Sequence, residues 1–212
     1  MNFGMLVFNE VEELDLIGPW EMLGMWSKFA GGPANCLVIG QTLAPVICAK
    51  GLSVNPHIEF ANCPPLDYLL VPGGMGTRRE EANGELLRFI STQARTCQAL
   101  LAVCTGAFLL HAAGLLAGKK ATTHWNSLER LRDLGDVEVV EQRYVQDGKL
   151  WTAAGVSAGL DMMLAFIANV AGDEVAGKVQ FAAEYYPART RYGNLHNLSQ
   201  APAYICDNMP SS

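Results

Sequence analysis

One cysteine of the six stands apart. Cys104 lies in "ALLAVCTGAFLLHAAGLLAGKKATTHW", residues 99–125, after five apolar residues and before Thr105-Gly106 and a helical pattern. A thiol at the carboxyl end of a buried strand, followed by a glycine turn into a helix, has the arrangement of a nucleophile elbow. There a tight, strained turn holds the side chain out over the sheet edge. The helix turns its unpaired amides and positive end towards the sulfur. The thiolate should then be favoured, with a pKa below the free value of roughly 8.5. A lone cysteine in apolar surroundings also serves as plain packing, and both readings stand at this level. Residues 99–118 are long enough to span a bilayer. Thr105-Gly106, Gly114 and the strand-like first half favour a strand followed by a helix instead.

The elements that must position this thiol follow from hydrophobic periodicity. "NFGMLVF", residues 2–8, reads as a buried strand, and "DLIGPWEMLGMWSKF", residues 15–29, as a helix. That helix would bury Leu16, Trp20, Leu23, Trp26 or Met25, and Phe29, with Pro19 in its first turn. "NCLVIGQT" is strand-like, and "PVICAKGLSVNPHIEF" reads as short strands or a hairpin. Residues 66–71 form a further buried strand, stopped by Pro72-Gly73-Gly74. "NGELLRFISTQARTC" is an amphipathic helix with Leu86, Leu87, Ile90 and Ala94 on one face. "ALLAVC" is a strand and "TGAFLLHAAGLL" a helix. "KATTHW" allows a strand, and "SLERLRDLG" a short helix ending at Gly135. "VEVVEQRYVQDGKLWTAAG" alternates around Asp147-Gly148 as a hairpin. Two apolar helices follow, the first ending at Gly172. The chain from Pro187 is polar and is expected to lie over the surface. Strands and helices that alternate, with uninterrupted apolar strands, predict an α/β domain with a mostly parallel sheet covered on both faces. The 212 residues are taken as one domain.

Fifteen basic residues against twenty-one acidic ones give a net charge of -6, and no basic run occurs, so nucleic acid is not an expected partner. The cysteines Cys36, Cys48, Cys63, Cys97, Cys104 and Cys206 form no CxxC pair, and the four histidines are scattered. No metal and no organic cofactor is expected. The amino-terminal stretch lacks a basic start and carries early carboxylates, unlike a signal peptide. With unpaired cysteines this points to a reducing cytoplasm and no membrane.

Taken together, "LLAVCTGAFLLHAAGLLAGKKATTHW", "ELDLIGPWEML", "PPLDYLLVPGG" and "TAAGVSAGLDMML" resemble the DJ-1/PfpI superfamily. Within it the chain is similar to the isocyanide (isonitrile) hydratase branch, and also to sensor-like amino-terminal domains of AraC-type regulators. The resemblance runs from about Asn2 to about Tyr186. It implies a flavodoxin-like three-layer sandwich, a homodimer, a small-molecule substrate and a reactive cysteine at Cys104. It places an acid at Asp15, where a helix N-cap is the plainer reading. Gly73, Gly74 and the amide of Thr105 would form an anion-binding nest, and the Thr105 hydroxyl would either donate or cap its helix. His124 is the histidine to check for proximity, although a structural role is its commoner use. Thr105 stands where protease-like members carry histidine after the nucleophile, which disfavours a Cys-His mechanism. Asp15 in place of glutamate separates the chain from glyoxalase-like members. The implied reaction is hydration of an isocyanide to an N-substituted formamide through a covalent thioimidate, with Trp20 and Trp125 as candidate walls of an apolar pocket. The rival reading is a free-standing thiol-based sensor or ligand-binding domain.

Overall fold

A computed structural model describes residues 1–188 and 190–206. The chain runs β1 (Asn2–Leu6), α1 (Glu13–Phe29), β2 (Asn35–Gly40), β3 (Val46–Ile47), β4 (Ser53–Val54), β5 (Ile58–Glu59), β6 (Tyr68–Val71), α2 (Thr77–Glu80), α3 (Gly84–Ala94), β7 (Ala99–Val103) and α4 (Gly106–Ala112). It continues through β8 (Lys120–Ala121), α5 (Leu128–Arg132), β9 (Glu138–Val139), β10 (Tyr144–Asp147), β11 (Leu150–Ala153), α6 (Ala158–Ala171), α7 (Asp173–Ala182) and α8 (Ala203–Cys206). Seven strands make one sheet in the order β10-β11-β7-β6-β1-β2-β5, parallel except for β10. This is the mostly parallel α/β architecture expected from the apolar strands. All of β6, β7 and β11 is buried, because helices cover both faces. On one face α1, α6 and α7 pack together; on the other, α2 and α3 pack against α4. Phe166 of α6 presents its ring edge-on to Tyr68 (5.1 Å between centroids), Trp151 (5.8 Å) and Phe3 (6.2 Å). These aromatic contacts clamp that layer to the sheet.

The topology decides where a ligand would sit. From β1 the chain builds outward through β2 and β5, then returns to the other flank of β1 as β6, β7 and β11. Strand order reverses between β1 and β6, and open α/β sheets bind ligands at the carboxyl ends of strands beside such a reversal.

Several boundaries differ from expectation for local reasons. Residues 99–118 divide into β7 and α4, and among the described residues no helix is long and apolar enough to cross a membrane. Helix α1 starts at Glu13, so Pro19 lies in its second turn. There Pro19 cannot donate to the Asp15 carbonyl. Phe29 is exposed and leaves the expected apolar face. "KATTHW" extends for only two residues, because the fully buried Thr122 and Thr123 bond elsewhere. The Thr122 amide donates to Thr152 Oγ1 (2.9 Å), and the Thr123 hydroxyl to the Cys104 carbonyl (2.7 Å). The segment after Pro187 is not merely superficial: Pro202 is buried and Tyr204 packs against the core.

Candidate active site

Cys104 directly follows β7 and holds a left-handed backbone, φ 57°. Its amide donates to the Ala153 and Ala154 carbonyls at 3.0 and 3.1 Å, so the strained turn is tied to β11. A non-glycine residue in this region costs on the order of 1–3 kcal/mol and persists where surrounding bonds hold it. Gly106 is required next: a Cβ there would lie 2.2 Å from the Val71 carbonyl oxygen. With no side chain, α4 can start against the end of β6 and the elbow can close.

Asp15 approaches from α1. It is the third residue of that helix, whose N-cap is Glu12, so the N-cap reading of Asp15 does not hold. The acid is fully buried, and Oδ2 accepts the Gly73 amide at 3.0 Å, while Oδ1 has no hydrogen-bond partner. Burial, helped by the nearby Glu12 carboxylate, pushes the Asp15 carboxyl up to about 8 against the opposing Gly73, Cys104 and Lys50. At neutral pH it therefore carries a proton. Glu12 itself pairs with Lys50.

The Cys104 side chain faces this acid, and the residue is 7% exposed. Burial first, and then the Asp15 charge, raise its thiol, while the amides of Thr105 and Val156 and the Thr105 hydroxyl act the other way. The thiolate expected from the elbow motif is thus not the favoured form. Helix α4 has only seven residues, and its amino end does not outweigh removal of the sulfur from water.

Around this pair the glycines and Thr105 are committed differently from an open nest. The Gly73 amide holds Asp15, and the Gly74 amide donates to Thr105 Oγ1 at 3.0 Å. The Thr105 hydroxyl also meets Thr77 Oγ1 at 3.1 Å and makes no cap bond to α4. It locks the turn after β6 to the elbow, leaving its own amide aimed at the sulfur. His124 lies at the edge of the site: a Cβ on Gly155 would come within 2.3 Å of its Cδ2. Its Nδ1 accepts the Asn126 amide at 3.2 Å, and burial lowers its pKa, so the ring is neutral with its proton on Nε2. None of its hydrogen bonds among the described residues reaches Cys104 or Asp15. Trp20 stands apart, tilted against the His57 ring at 5.6 Å. Trp125 borders an apolar cavity of about 360 Å³ beneath Leu195, Leu198, Pro202 and Ile205. No group of three or more His, Cys, Asp or Glu among the described residues could hold a metal.

Val156 escaped the reading of the sequence. It too is left-handed, φ 46°, in the turn between β11 and α6. The signal was present: "AAGVSAGL" repeats the strand, turn and helix order of "AVCTGAFL" on the neighbouring strand.

Residues 3–169 match the model of the DJ-1/PfpI family. An isonitrile hydratase of Pseudomonas putida is 38% identical over 89% of this chain and 80% of its own length. The transcriptional regulator GbdR of Pseudomonas aeruginosa is 33% identical over 84% of this chain but only 49% of its own length. A crystal structure of a ThiJ/PfpI family protein from Pseudomonas syringae superposes with a TM-score of 0.84 at 33% identity, over 96% of this chain and 82% of that one. With an elbow cysteine, a facing acid and a family model spanning most of its length, the chain belongs to the DJ-1/PfpI family.

Proposed function

We propose that Cys104 and Asp15 hydrate isocyanides to N-substituted formamides. The observation that carries this reading is a buried, proton-bearing carboxyl facing a buried thiol. An isocyanide must receive a nucleophile and a proton on the same terminal carbon, so the two groups that supply them must converge on one point. Similarity to the isonitrile hydratase of Pseudomonas putida supports the assignment.

In the first step the Asp15 carboxyl protonates the terminal carbon and takes up the thiol proton, while sulfur bonds to that carbon. Net addition of S–H gives the thioimidate R–N=CH–S, with Asp15 still protonated. Water then adds to the same carbon as nitrogen gains a proton, giving R–NH–CH(OH)–S. The C–S bond breaks, the hydroxyl proton returns to sulfur through Asp15, and R–NH–CHO leaves. The amides of Thr105 and Val156 face the sulfur and stabilise negative charge there as the bond breaks. A carboxyl that carries its own proton can give it to the carbon while its other oxygen takes the thiol proton, so one group serves both transfers.

The test is incubation with cyclohexyl isocyanide while formamide is followed by chromatography. Turnover is expected from the wild type and not from Cys104→Ala; full activity of that variant would end the proposal. The match to GbdR favours a second reading, a ligand-sensing domain. A thiol kept protonated reacts slowly with peroxide, so this alternative is one of ligand binding rather than oxidation.

A further inference from the structure

The segment that leads into Asp15 is pinned from two sides. The Glu12 amide donates to the Gly73 carbonyl at 2.9 Å, and the Gly73 amide returns to Asp15 Oδ2 at 3.0 Å. Glu12 is the N-cap of α1 and Asp15 its third residue, so their side chains emerge on one side of the first turn. The β3–β4 hairpin docks on the same segment from outside. The Glu10 amide donates to the Ile47 carbonyl at 2.7 Å, and the Ala49 amide to the Val11 carbonyl at 2.8 Å. The hairpin turn, which passes through Gly51 at φ 95°, presents Lys50 to the start of α1.

Lys50 meets two carboxylates there. Its ammonium pairs with Glu12 and lies 3.6 Å from Glu13 Oε2, while its amide donates to Glu13 Oε1 at 2.5 Å. The Glu12 carboxylate makes no cap bond to α1 and turns to Lys50 instead. Lys50 is two-thirds exposed, whereas the Glu12 side chain is only 16% exposed. A pair with one partner in water adds little to stability. What it changes is the charge beside a buried acid. Glu12 from the same turn, Lys50 from the hairpin and Cys104 from the elbow all face Asp15. Glu12 in turn faces His124 and Cys48. Burial keeps the Cys104 and Cys48 thiols protonated and the His124 ring neutral. Of these groups, Glu12 and Lys50 are therefore the ones that bring charge to Asp15.

We propose that Glu12 and Lys50 are positioning residues for the hydration chemistry, a matched pair of opposite charges at the first turn of α1 that sets the pH at which Asp15 gives up its proton. The proposal rests on the hydratase reading for the use made of that proton. The Glu12 carboxylate repels a second negative charge on Asp15 and so keeps the proton in place, while the Lys50 ammonium favours its loss. Removing either partner leaves the other unopposed. The two removals must therefore move Asp15 in opposite directions, whereas a hairpin that merely braced α1 would loosen the acid in the same way whichever partner was lost.

Carbon-13 NMR of aspartate-labelled protein reads the Asp15 midpoint on both sides of pH 8, with the signal assigned by its loss in Asp15→Asn. The same variants are assayed for kcat/KM with cyclohexyl isocyanide across that range. The midpoint and the high-pH limb of kcat/KM are expected to fall in Glu12→Gln and to rise in Lys50→Met, each by about half a pH unit, as suits a nearby charge partly screened by solvent. Lys50→Arg keeps the charge and is expected to match the wild type; a rise equal to that of Lys50→Met overturns the proposal. Unchanged midpoints, or shifts of one sign in both removals, also overturn it, even where hydration is rapid. If the midpoints move apart as expected but no variant and no wild type yields formamide, the assignment of the pair stands and the hydratase reading falls. Should Lys50→Met fail to fold, Glu12→Gln decides alone, and a midpoint at or above the wild-type value overturns the proposal.

Discussion

The Gly73 amide reaches Oδ2 of Asp15 across 3.0 Å, joining the turn after β6 to an acid carried by α1. That one bond orients the carboxyl towards Cys104 at the point where strand order reverses. It also explains glycine at position 73, since a Cβ there would stand 2.5 Å from the Thr105 nitrogen and 2.8 Å from Asp15 Oδ2. Gly73→Ala should therefore displace the acid and the elbow together. A stability loss of about 1–3 kcal/mol, typical of overpacking, is expected in urea denaturation, with most of the proposed hydratase activity lost.

Asp15→Asn removes the proton carrier and should lower kcat by about 10²–10⁴, the usual size of a general-acid contribution. Its effect on folding has a definite sign. Burial pushes the native carboxyl up to about 8 from an ordinary value of 3.8, so between these pH values the folded state holds a proton that the unfolded chain has lost. Stability from this group is fully present below the unfolded pKa and declines as pH rises towards 8, by up to roughly tenfold in the folding constant per pH unit. Parallel denaturation curves at pH 5, 6, 7 and 8 should show wild type losing stability relative to Asp15→Asn. A constant difference across that range would show that the acid is ionised throughout.

Cys104 should alkylate slowly at pH 7, since the thiol is buried and held protonated. The exposed Cys206 should label first with iodoacetamide. Above pH 8, where Asp15 carries charge, Asp15→Asn should speed labelling of Cys104 several-fold by removing that repulsion. Peptide mass spectrometry over time resolves the two sites. Faster labelling of Cys104 than of Cys206 at pH 7 would contradict this account of the sulfur.

Thr105→Val deletes the acceptor of the Gly74 amide and the contact with Thr77. Leaving such donors unsatisfied costs about 1–3 kcal/mol. Thr105→Ser keeps the hydroxyl and should restore most of the stability. Thermal melts of both variants, alongside formamide production, separate this locking role from direct donation to substrate.

Local patterns carried much of this architecture. Apolar runs such as "LLAV" and "YLLV" can be satisfied only as strands covered on both faces, and glycine turns mark where they end. The elbow at Cys104 was legible for the same reason, because strand, turn and helix are consecutive. The state of the sulfur was not. Motif logic weighs the amino end of a helix, but the proton affinity depends on water exclusion and on Asp15, 89 positions earlier in the chain. Likewise, Gly73 and Gly74 read from the sequence as an open nest, whereas in the folded chain their amides are taken by Asp15 and Thr105. Periodicity reports what each short stretch must bury. Charge, proton affinity and the partner of each polar atom depend on distances between stretches, and those distances exist only once the chain has packed.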